Sequence, residues 1–406
     1  MAAICAVNTG CTSTTQPTTG VDLSPSTDTI FEAQWITAVT SGVADWQLAH
    51  MEDFDGHIRT FQSRSRNPRE WIQGAFLKGL ADWSQQTNNI RYLNWLKHWG
   101  ESQNYRLGDR LYHADDHVVG QYYLALYDYF GDPAMIEPTR EAFDAILRRP
   151  STVPLDYQTR GHDKGYSRQC LKRWCWADAL FMSPPVWTEM SSILGVPDYF
   201  EFSNQEFWLT VDALFDRDEG LFLRDSRFLT QRESNGERVF WSRGNGWVFA
   251  GLTDIIETMP SGHRDRQRYI ALYQTMARAL VPLQDHRGFW PVSLKAGELY
   301  EVPETSGTAF FVAGLAWGIA NDILSADRYL PAVKKGWRAL NQSVAPDGMI
   351  GWVQQVGYSP DKVAVAGGED EAARISANET QFYGAGAFLL AGSALIELNR
   401  QGIFER

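Results

Sequence analysis

The stretch SGTAFFVAGLAWGIANDIL, residues 306–324, decides the fold because the same kind of segment recurs along the chain. It begins with small residues and continues as a run that is apolar nearly all round, which is typical of a buried helix. Five further segments share this pattern: GAFLKGLADWSQ (74–85), GQYYLALYDYF (120–130), ADALFMSPPVWTEMSSIL (177–194), GNGWVFAGLTDIIETM (244–259) and GAGAFLLAGSALIEL (384–398). The sequence therefore predicts six buried helices.

A second, amphipathic helical pattern alternates with the first. Its charged residues fall on one face, as expected of helices with one face toward solvent. The members begin at Val43, Arg91, Ala134, Tyr199, Arg264 and Arg328. Six buried and six half-exposed helices in alternation predict an all-α (α/α)6 barrel, with six inner and six outer helices. An open α-solenoid is the alternative, but six unequal repeats with long loops favour the closed form.

The composition limits the classes of function. The 406 residues carry 37 Lys and Arg against 49 Asp and Glu, a net charge of −12, and 13% of them are aromatic. The acidic balance argues against binding to nucleic acid or to an anionic membrane. No apolar run is long enough to predict a transmembrane helix. Aromatic faces beside carboxylates suit sugars, whose rings have an apolar C–H face and a polar rim.

The N-terminus predicts a flexible tail over residues 1–29, followed by a single catalytic domain over residues 30–406. Small residues before Cys11 and a polar tether after it resemble a bacterial lipoprotein processing site. A tail with an incidental cysteine is the alternative. We therefore expect a periplasmic or membrane-anchored protein, with a cytoplasmic one as the alternative. Cys170 and Cys175 lack the spacing of a zinc site and are predicted to be buried thiols.

In a closed barrel, the loops that lead into the inner helices surround one opening, which we call the mouth. Polar groups precede successive inner helices at the same relative position, so the fold is expected to bring them together. For Asp115 or Ser306 taken alone, an ordinary helix N-cap is the preferred interpretation. Asp178 differs because it lies inside an apolar run, where burying an unpartnered carboxylate costs several kcal/mol. Its position therefore favours a functional role.

Two further groups at the mouth carry alternatives. His113 and His117 are spaced i, i+4, which would allow both to face a metal, but the glutamate typical of such hydrolases is missing and no third ligand is evident. We therefore predict neither a metal nor a cofactor. Trp241, Arg243 and Trp247 form either a packed cation–π cluster or a clamp for a sugar carboxylate. The aromatic composition favours the clamp.

These motifs resemble a known family. WCWADALFMSPPVW (174–187), FWSRGNGWVFAGL (240–252), ETSGTAFFVAGLAWGI (304–319) and QFYGAGAFLLA (381–391) are similar to segments of glycoside hydrolase family 105. These are unsaturated rhamnogalacturonyl and related uronyl hydrolases, relatives of the unsaturated glucuronyl hydrolases of family 88. The likeness spans residues 35–398 and also implies the (α/α)6 barrel. The segment at residues 162–166 departs from the family pattern, which leaves the adjoining sugar open.

The resemblance implies a reaction and a set of site residues. Such enzymes remove the 4,5-unsaturated uronic acid that a lyase leaves at the non-reducing end of an acidic oligosaccharide, of rhamnogalacturonan or ulvan type. An aspartate protonates C4 of the vinyl ether, water adds at C5, and the hemiketal opens. The general acid/base falls on Asp178 and the second aspartate on Asp115, with the adjacent Asp116 as the alternative. Residues expected to line the substrate site are Arg243, Trp241, Trp247, Trp176, Asp116 and His113.

Two other functions are weighed against this hydrolase. One is a conventional inverting glycoside hydrolase that uses two aspartates on the same barrel. The other is a non-catalytic barrel that binds acidic glycans, although a binder of anionic sugars has little reason to bury Asp178 nearby. The partner in each case is an acidic oligosaccharide, and the protein is expected to be a monomer or a homodimer.

Overall fold

The computed structural model describes residues 29–54, 56–58, 62–153, 170–365, 368–369 and 375–405. Within them the helices are α1 (Ala33–Ala49), α2 (Gln62–Ser65), α3 (Trp71–Thr87), α4 (Ile90–Ser102), α5 (Val119–Phe130), α6 (Glu137–Arg148), α7 (Ala179–Met182), α8 (Pro184–Leu194), α9 (Pro197–Leu214), α10 (Ser242–Thr258), α11 (Arg266–Leu280), α12 (Thr305–Ala320), α13 (Ala326–Gln342) and α14 (Phe382–Arg400). The short strands are β1 (Phe215–Asp216), β2 (Leu221–Phe222), β3 (Gly357–Ser359), β4 (Lys362–Val365) and β5 (Gly368–Glu369).

The helices form two concentric rings. The inner ring runs α3, α5, α7 with α8, α10, α12 and α14, and each of these packs against the next. The helices α1, α4, α6, α9, α11 and α13 lie outside them. These are the buried and amphipathic segments that the sequence predicted, so the all-α (α/α)6 barrel is confirmed.

The ring closes where α14 packs against α3. A Cβ at Gly79 would lie 2.3 Å from the carbonyl oxygen of Gly386, and one at Gly386 would lie 2.3 Å from that of Ala75. Any side chain at these two positions would therefore push the helices apart. Contact between the first and last inner helices is absent from an open solenoid, so the predicted closed barrel is confirmed and the open alternative is excluded.

The third inner helix is interrupted between α7 and α8. Pro184 and Pro185 follow Ser183, and because proline has no backbone N–H it cannot continue the hydrogen bonding of a helix that precedes it. The Ser183 hydroxyl lies 2.6 Å from Nδ1 of His117, which ties the break to the preceding inner segment. As a result α7 is a separate short helix at the mouth, and Asp178 is its N-cap residue.

The last inner helix, α14, is long and apolar enough to cross a membrane by length and composition, and it alone passes that test in the described part of the chain. In the barrel, 72% of its apolar window is buried. It packs against α1, α3 and α12. Its hydrophobicity is therefore that of a core helix.

The C-terminal halves of the inner helices surround a cavity of about 460 Å³ at the end opposite the mouth, which we call the floor. Lys78 lies there with its Nζ 2.9 Å from a carboxylate oxygen of Asp82 and 3.2 Å from one of Asp254. Burial raises the pKa of Asp254 to about 7 and that of Glu189 to about 8. Around Lys78, the floor therefore holds acidic side chains that are partly protonated at neutral pH.

Two predictions about the cysteines and the tail meet the structure differently. Cys170 and Cys175, predicted to be thiols, form a disulfide with their Cα atoms 5.4 Å apart. That prediction was wrong because spacing alone does not show which side chains a bend brings together. Residues 1–28 of the predicted tail, with Cys11, lie outside the described residues.

Candidate active site

Asp178 lies at the mouth, directly before α7, with 6% of its surface exposed. Its Oδ2 lies 3.1 Å from Nε of Arg224. Burial raises the pKa of Asp178, and the charges of Arg224 and then Arg243 act against that rise. The carboxyl is therefore held in place by one arginine while its environment favours the protonated form, which suits a group that donates a proton.

Asp115 and Asp116 are neighbours in one 3-10 turn, Ala114–Asp116, but their surroundings differ. Arg110 binds Asp116 through its backbone N–H, 2.6 Å from Oδ2, and through its guanidinium. Asp115 is 4% exposed and accepts no comparable bond within the described residues. Burial raises its pKa to about 7, and Arg110 opposes that rise. Asp116 is thus a structural ion-pair partner. Asp115 is the carboxyl of the two that is available for proton exchange near neutral pH.

The two histidines of this segment have separate surroundings. The His113 ring is fully buried, with Nδ1 3.8 Å from Asp115 and its ring centroid 5.1 Å from that of Trp176. Burial, reinforced by Arg110, lowers the pKa of His113 to about 2, so it is neutral. His117 uses both ring nitrogens, on Ser183 and on the Leu111 carbonyl. Among the described residues, no cluster of three or more His, Cys, Asp or Glu side chains forms a metal site.

Arg243 lies on α10 with 1% of its surface exposed. Its Nη1 and Nη2 donate to the backbone carbonyls of Gln354, at 2.7 Å, and Gln355, at 3.1 Å. Its guanidinium lies 4.5 Å from the Trp241 ring centroid and 4.7 Å from that of Tyr383. These contacts favour the packed cation–π cluster over the sugar clamp, with Tyr383 in the place expected for Trp247.

The three tryptophans predicted for the site occupy different layers. Trp176 lies two residues before Asp178 and pairs with Asp225 through an isolated β-bridge. Trp241 donates from Nε1 to the Gln354 side chain at 2.8 Å. Trp247 packs deeper, 4.8 Å from the Phe181 ring and 4.3 Å from that of Phe310. Trp176 is therefore next to Asp178, Trp241 is part of the mouth wall, and Trp247 belongs to the aromatic core of the barrel.

The sequence reasoning missed Arg224 and Asp225, which follow β2. The signal was present in LFLRDSR, residues 221–227, where charged residues directly follow an apolar stretch. It also missed the cap of α12. There Glu304 accepts hydrogen bonds from the backbone N–H groups of Ser306 and Gly307, so the cap is the glutamate and not Ser306.

The different surroundings of the two aspartates predict opposite effects on stability. We expect Asp116→Asn to lower the free energy of unfolding by about 1–3 kcal/mol, because Arg110 loses a charged acceptor. Asp115 has a raised pKa in the fold, so its contribution to stability is present at low pH and lost as pH rises toward 7. Asp115→Asn should therefore match the wild type at pH 4 and exceed it at pH 8. Thermal melts at both pH values measure this, and a loss of stability for Asp115→Asn at pH 8 would contradict it.

The contacts of Arg243 predict a mainly structural effect of Arg243→Lys. Lysine keeps the charge but cannot donate to both carbonyls in the same geometry, and a buried acceptor left without a partner costs about 1–3 kcal/mol. We expect a clearly lower melting temperature, whereas Arg328→Lys on the exposed face of α13 should leave it unchanged. If Arg243→Lys melts like the wild type and instead raises KM, the clamp is the correct interpretation.

Known proteins share this fold and sequence. A polysaccharide lyase structure is 29% identical, with a TM-score of 0.75, covering 91% of this chain and 98% of its own. A family 88 glycosyl hydrolase structure from Bacteroides vulgatus is 28% identical, with a TM-score of 0.74, covering 90% of this chain and 99% of its own. An unsaturated 3S-rhamnoglycuronyl hydrolase of Alteromonas sp. (strain LOR) is 41% identical over 366 residues, 89% of this chain and 86% of that protein. Residues 39–399 match the model of Glycosyl Hydrolase Family 88, and the chain belongs to that family.

Proposed function

We propose that the protein removes the 4,5-unsaturated uronic acid from the non-reducing end of lyase-generated oligosaccharides by hydrating the vinyl ether. The observation that carries this is the buried Asp178 carboxyl at the mouth, which has a raised pKa and one oxygen bound by Arg224. A proton donor is what an enol ether needs first. The family and the 41% identical hydrolase of Alteromonas support the same substrate class.

The reaction proceeds by protonation of the double bond, addition of water and opening of the sugar ring. The Asp178 carboxyl gives its proton to C4, and the positive charge that develops at C5 is stabilised by the ring oxygen. Water then forms a bond to C5 and returns a proton to the Asp178 carboxylate, which restores the enzyme. The hemiketal opens at the bond between C5 and the ring oxygen, and the C1 hemiacetal releases the next sugar. Asp115, on the turn that packs against α7, is the second carboxyl, and its role is to position the water.

The site attracts an acidic sugar although the whole chain carries −12. Arg224 and Arg243 both act on Asp178, and Arg227 follows at one further ion pair. With Asp178 protonated, the carboxylate that remains beside these three cations is Asp225, which is paired with Arg224 and Arg227. A local positive field of this kind draws a carboxylate into the mouth at short range, where solvent screens it least.

For the adjoining sugar we propose a rhamnose that carries a 3-sulfate. The support is the name of the Alteromonas relative, which is an unsaturated 3S-rhamnoglycuronyl hydrolase. The resemblance seen in the sequence implied a substrate of rhamnogalacturonan or ulvan type, and the name of this relative favours the sulfated, ulvan type. The segment at residues 162–166, which departs from the family pattern, lies outside the described residues.

Ultraviolet absorbance tests the reaction directly because the 4,5-double bond is conjugated with the carboxylate. We expect the absorbance of an unsaturated, sulfated rhamnose-uronate disaccharide to fall with the wild type and to persist with Asp178→Asn, whose rate should drop by about 10²–10⁴-fold. Asp212→Asn, an exposed carboxylate on α9, is the matched control and should keep full activity.

The same measurement separates the alternatives. A lyase would make the absorbance of an intact polysaccharide rise, because it forms the double bond. This outcome is measured because one of the similar structures is a polysaccharide lyase. A conventional inverting hydrolase would act on saturated oligosaccharides. Full activity of Asp178→Asn on the unsaturated substrate would overturn the proposed mechanism.

We also propose that the protein works in an oxidising compartment outside the cytoplasm, with Cys11 as a lipid anchor. The support is the Cys170–Cys175 disulfide, since such bonds persist mainly in oxidising compartments. Alkylation of the protein from its source cells, with and without prior reduction, should label Cys170 and Cys175 only after reduction. Labelling of both without reduction would favour the cytoplasmic alternative.

A further inference from the structure

Four charged side chains form an alternating chain that begins at Asp178. Nε of Arg224 lies 3.1 Å from Oδ2 of Asp178, and Nη1 of Arg224 lies 2.7 Å from Oδ2 of Asp225. Arg227 closes the chain with Nε 2.9 Å from Oδ1 of Asp225 and Nη2 2.7 Å from its Oδ2. Asp178, Arg224 and Asp225 have side chains that are at most 10% exposed. Their geometry is therefore fixed by one another and only weakly by solvent.

The backbone places this chain of charges against Asp178. The N–H of Ala177 donates to the Arg224 carbonyl at 2.8 Å, and Trp176 pairs with Asp225 in an antiparallel bridge. Asp225 also accepts from the backbone N–H of Arg227 at 3.0 Å, which caps the turn Ser226–Phe228. Two segments that are 46 residues apart in sequence are thus held in register at the residues next to the carboxyl.

We propose that Arg224 and Asp225 are positioning residues for the hydration reaction: Asp225 orients Arg224, and Arg224 holds Oδ2 of Asp178 so that Oδ1 is the oxygen that transfers the proton. This inference rests on the role of Asp178 in the proposed function. Arg224 has a second effect, because its charge sets how readily Asp178 gives up its proton. Asp225 limits that effect by sharing the guanidinium.

Three charged groups act on the pKa of Asp178: Arg224 and Asp225, which follow β2, and Arg243 on α10. The turn packed against α7 carries Asp115 and the neutral His113. Burial raises the pKa of Asp178, Arg224 and Arg243 lower it, and Asp225 raises it. Arg110 and Arg64 oppose the rise in the pKa of Asp115, and Arg224 is not among the groups that act most strongly on it. Substitution of Arg224 is therefore expected to change the pKa of Asp178 more than that of Asp115.

The signs of the expected shifts follow from these charges. The general acid must be protonated, so kcat/KM falls as pH rises through the Asp178 pKa. Arg224→Gln removes a cation and raises that pKa. The alkaline limb of the pH profile, where kcat/KM falls with rising pH, therefore moves to higher pH. Asp225→Asn removes an anion, leaves Arg224 more fully to Asp178, and moves the limb to lower pH. Each shift should be about one pH unit, which is a tenfold change in rate on the alkaline limb.

The experiment measures kcat, KM and their pH profiles for Arg224→Gln, Arg224→Lys and Asp225→Asn on the unsaturated disaccharide. Arg224→Lys keeps the charge and should restore the position of the limb, although kcat falls because Oδ2 is held less firmly. The control is Arg173→Gln, which breaks a pair of similar burial, 2.7 Å from Glu206 with 12% and 10% of the two side chains exposed. It should lower the melting temperature without moving the limb.

Two outcomes would overturn the proposal. If Arg224→Gln and Asp225→Asn move the limb in the same direction, or only lower the melting temperature as Arg173→Gln does, the role is structural. If Arg224→Gln raises KM and leaves kcat and the limb unchanged, Arg224 contacts substrate instead.

A readout without turnover separates this proposal from the proposed function. The carboxyl band of Asp178, identified in the infrared spectrum by its loss in Asp178→Asn, should titrate at higher pH in Arg224→Gln and at lower pH in Asp225→Asn. If these shifts appear but the wild type leaves the unsaturated disaccharide intact, the positioning effect stands and the proposed function fails. If the wild type is active and the band does not shift, the positioning proposal fails.

Discussion

The inner ring closes through two glycines that let the backbones of α3 and α14 touch. A Cβ at either Gly79 or Gly386 would overlap the carbonyl oxygen of the opposite helix. Everything else at the mouth depends on this approach, because only a closed ring points the N-terminal ends of all six inner helices at one opening. Polar groups that are up to 268 positions apart in the sequence, from Asp115 to Tyr383, then share one site. A methyl group at the seam would widen the ring and alter every distance across the mouth.

Within that closed ring the chemistry depends on buried charges that compensate one another. An isolated carboxylate at the depth of Asp178 would be costly, but Arg224, Asp225 and Arg227 distribute the charge over four groups. Asp116 and Arg110 form a second, simpler pair beside it. Asp115, which neighbours Asp116 in the same turn, has no comparable ion-pair partner in the described part of the chain. The mouth thus contains two kinds of carboxyl. Asp116 and Asp225 are held in ion pairs, whereas Asp115 and Asp178 have raised pKa values.

Much of this could be predicted from the sequence, and the remainder shows where local patterns stop. The six inner helices were visible because a buried helix must be apolar on all sides, and Asp178 stood out as a charge inside such a run. The contact between Arg224 and Asp178 was not visible, although charges follow the apolar stretch at residues 221–223, because a β-bridge between distant segments makes that contact. The partners of Arg243 were hidden for the same reason, since backbone carbonyls carry no signature in sequence. The cysteine pair was misjudged because a bend, and not the spacing, sets which sulfurs meet.

Two carboxyls at the floor of the barrel couple folding to the uptake of protons. Burial raises the pKa of Asp254 from 3.8 to about 7 and that of Glu189 from 4.5 to about 8. Below about pH 4 both carboxyls are protonated in the folded and the unfolded chain, and the floor adds no pH-dependent penalty. As pH rises, the unfolded chain ionises first, so the stability that these groups contribute is lost as the pH passes through about 7–8. At neutral pH these two carboxyls therefore take up protons when the chain folds and release them when it unfolds.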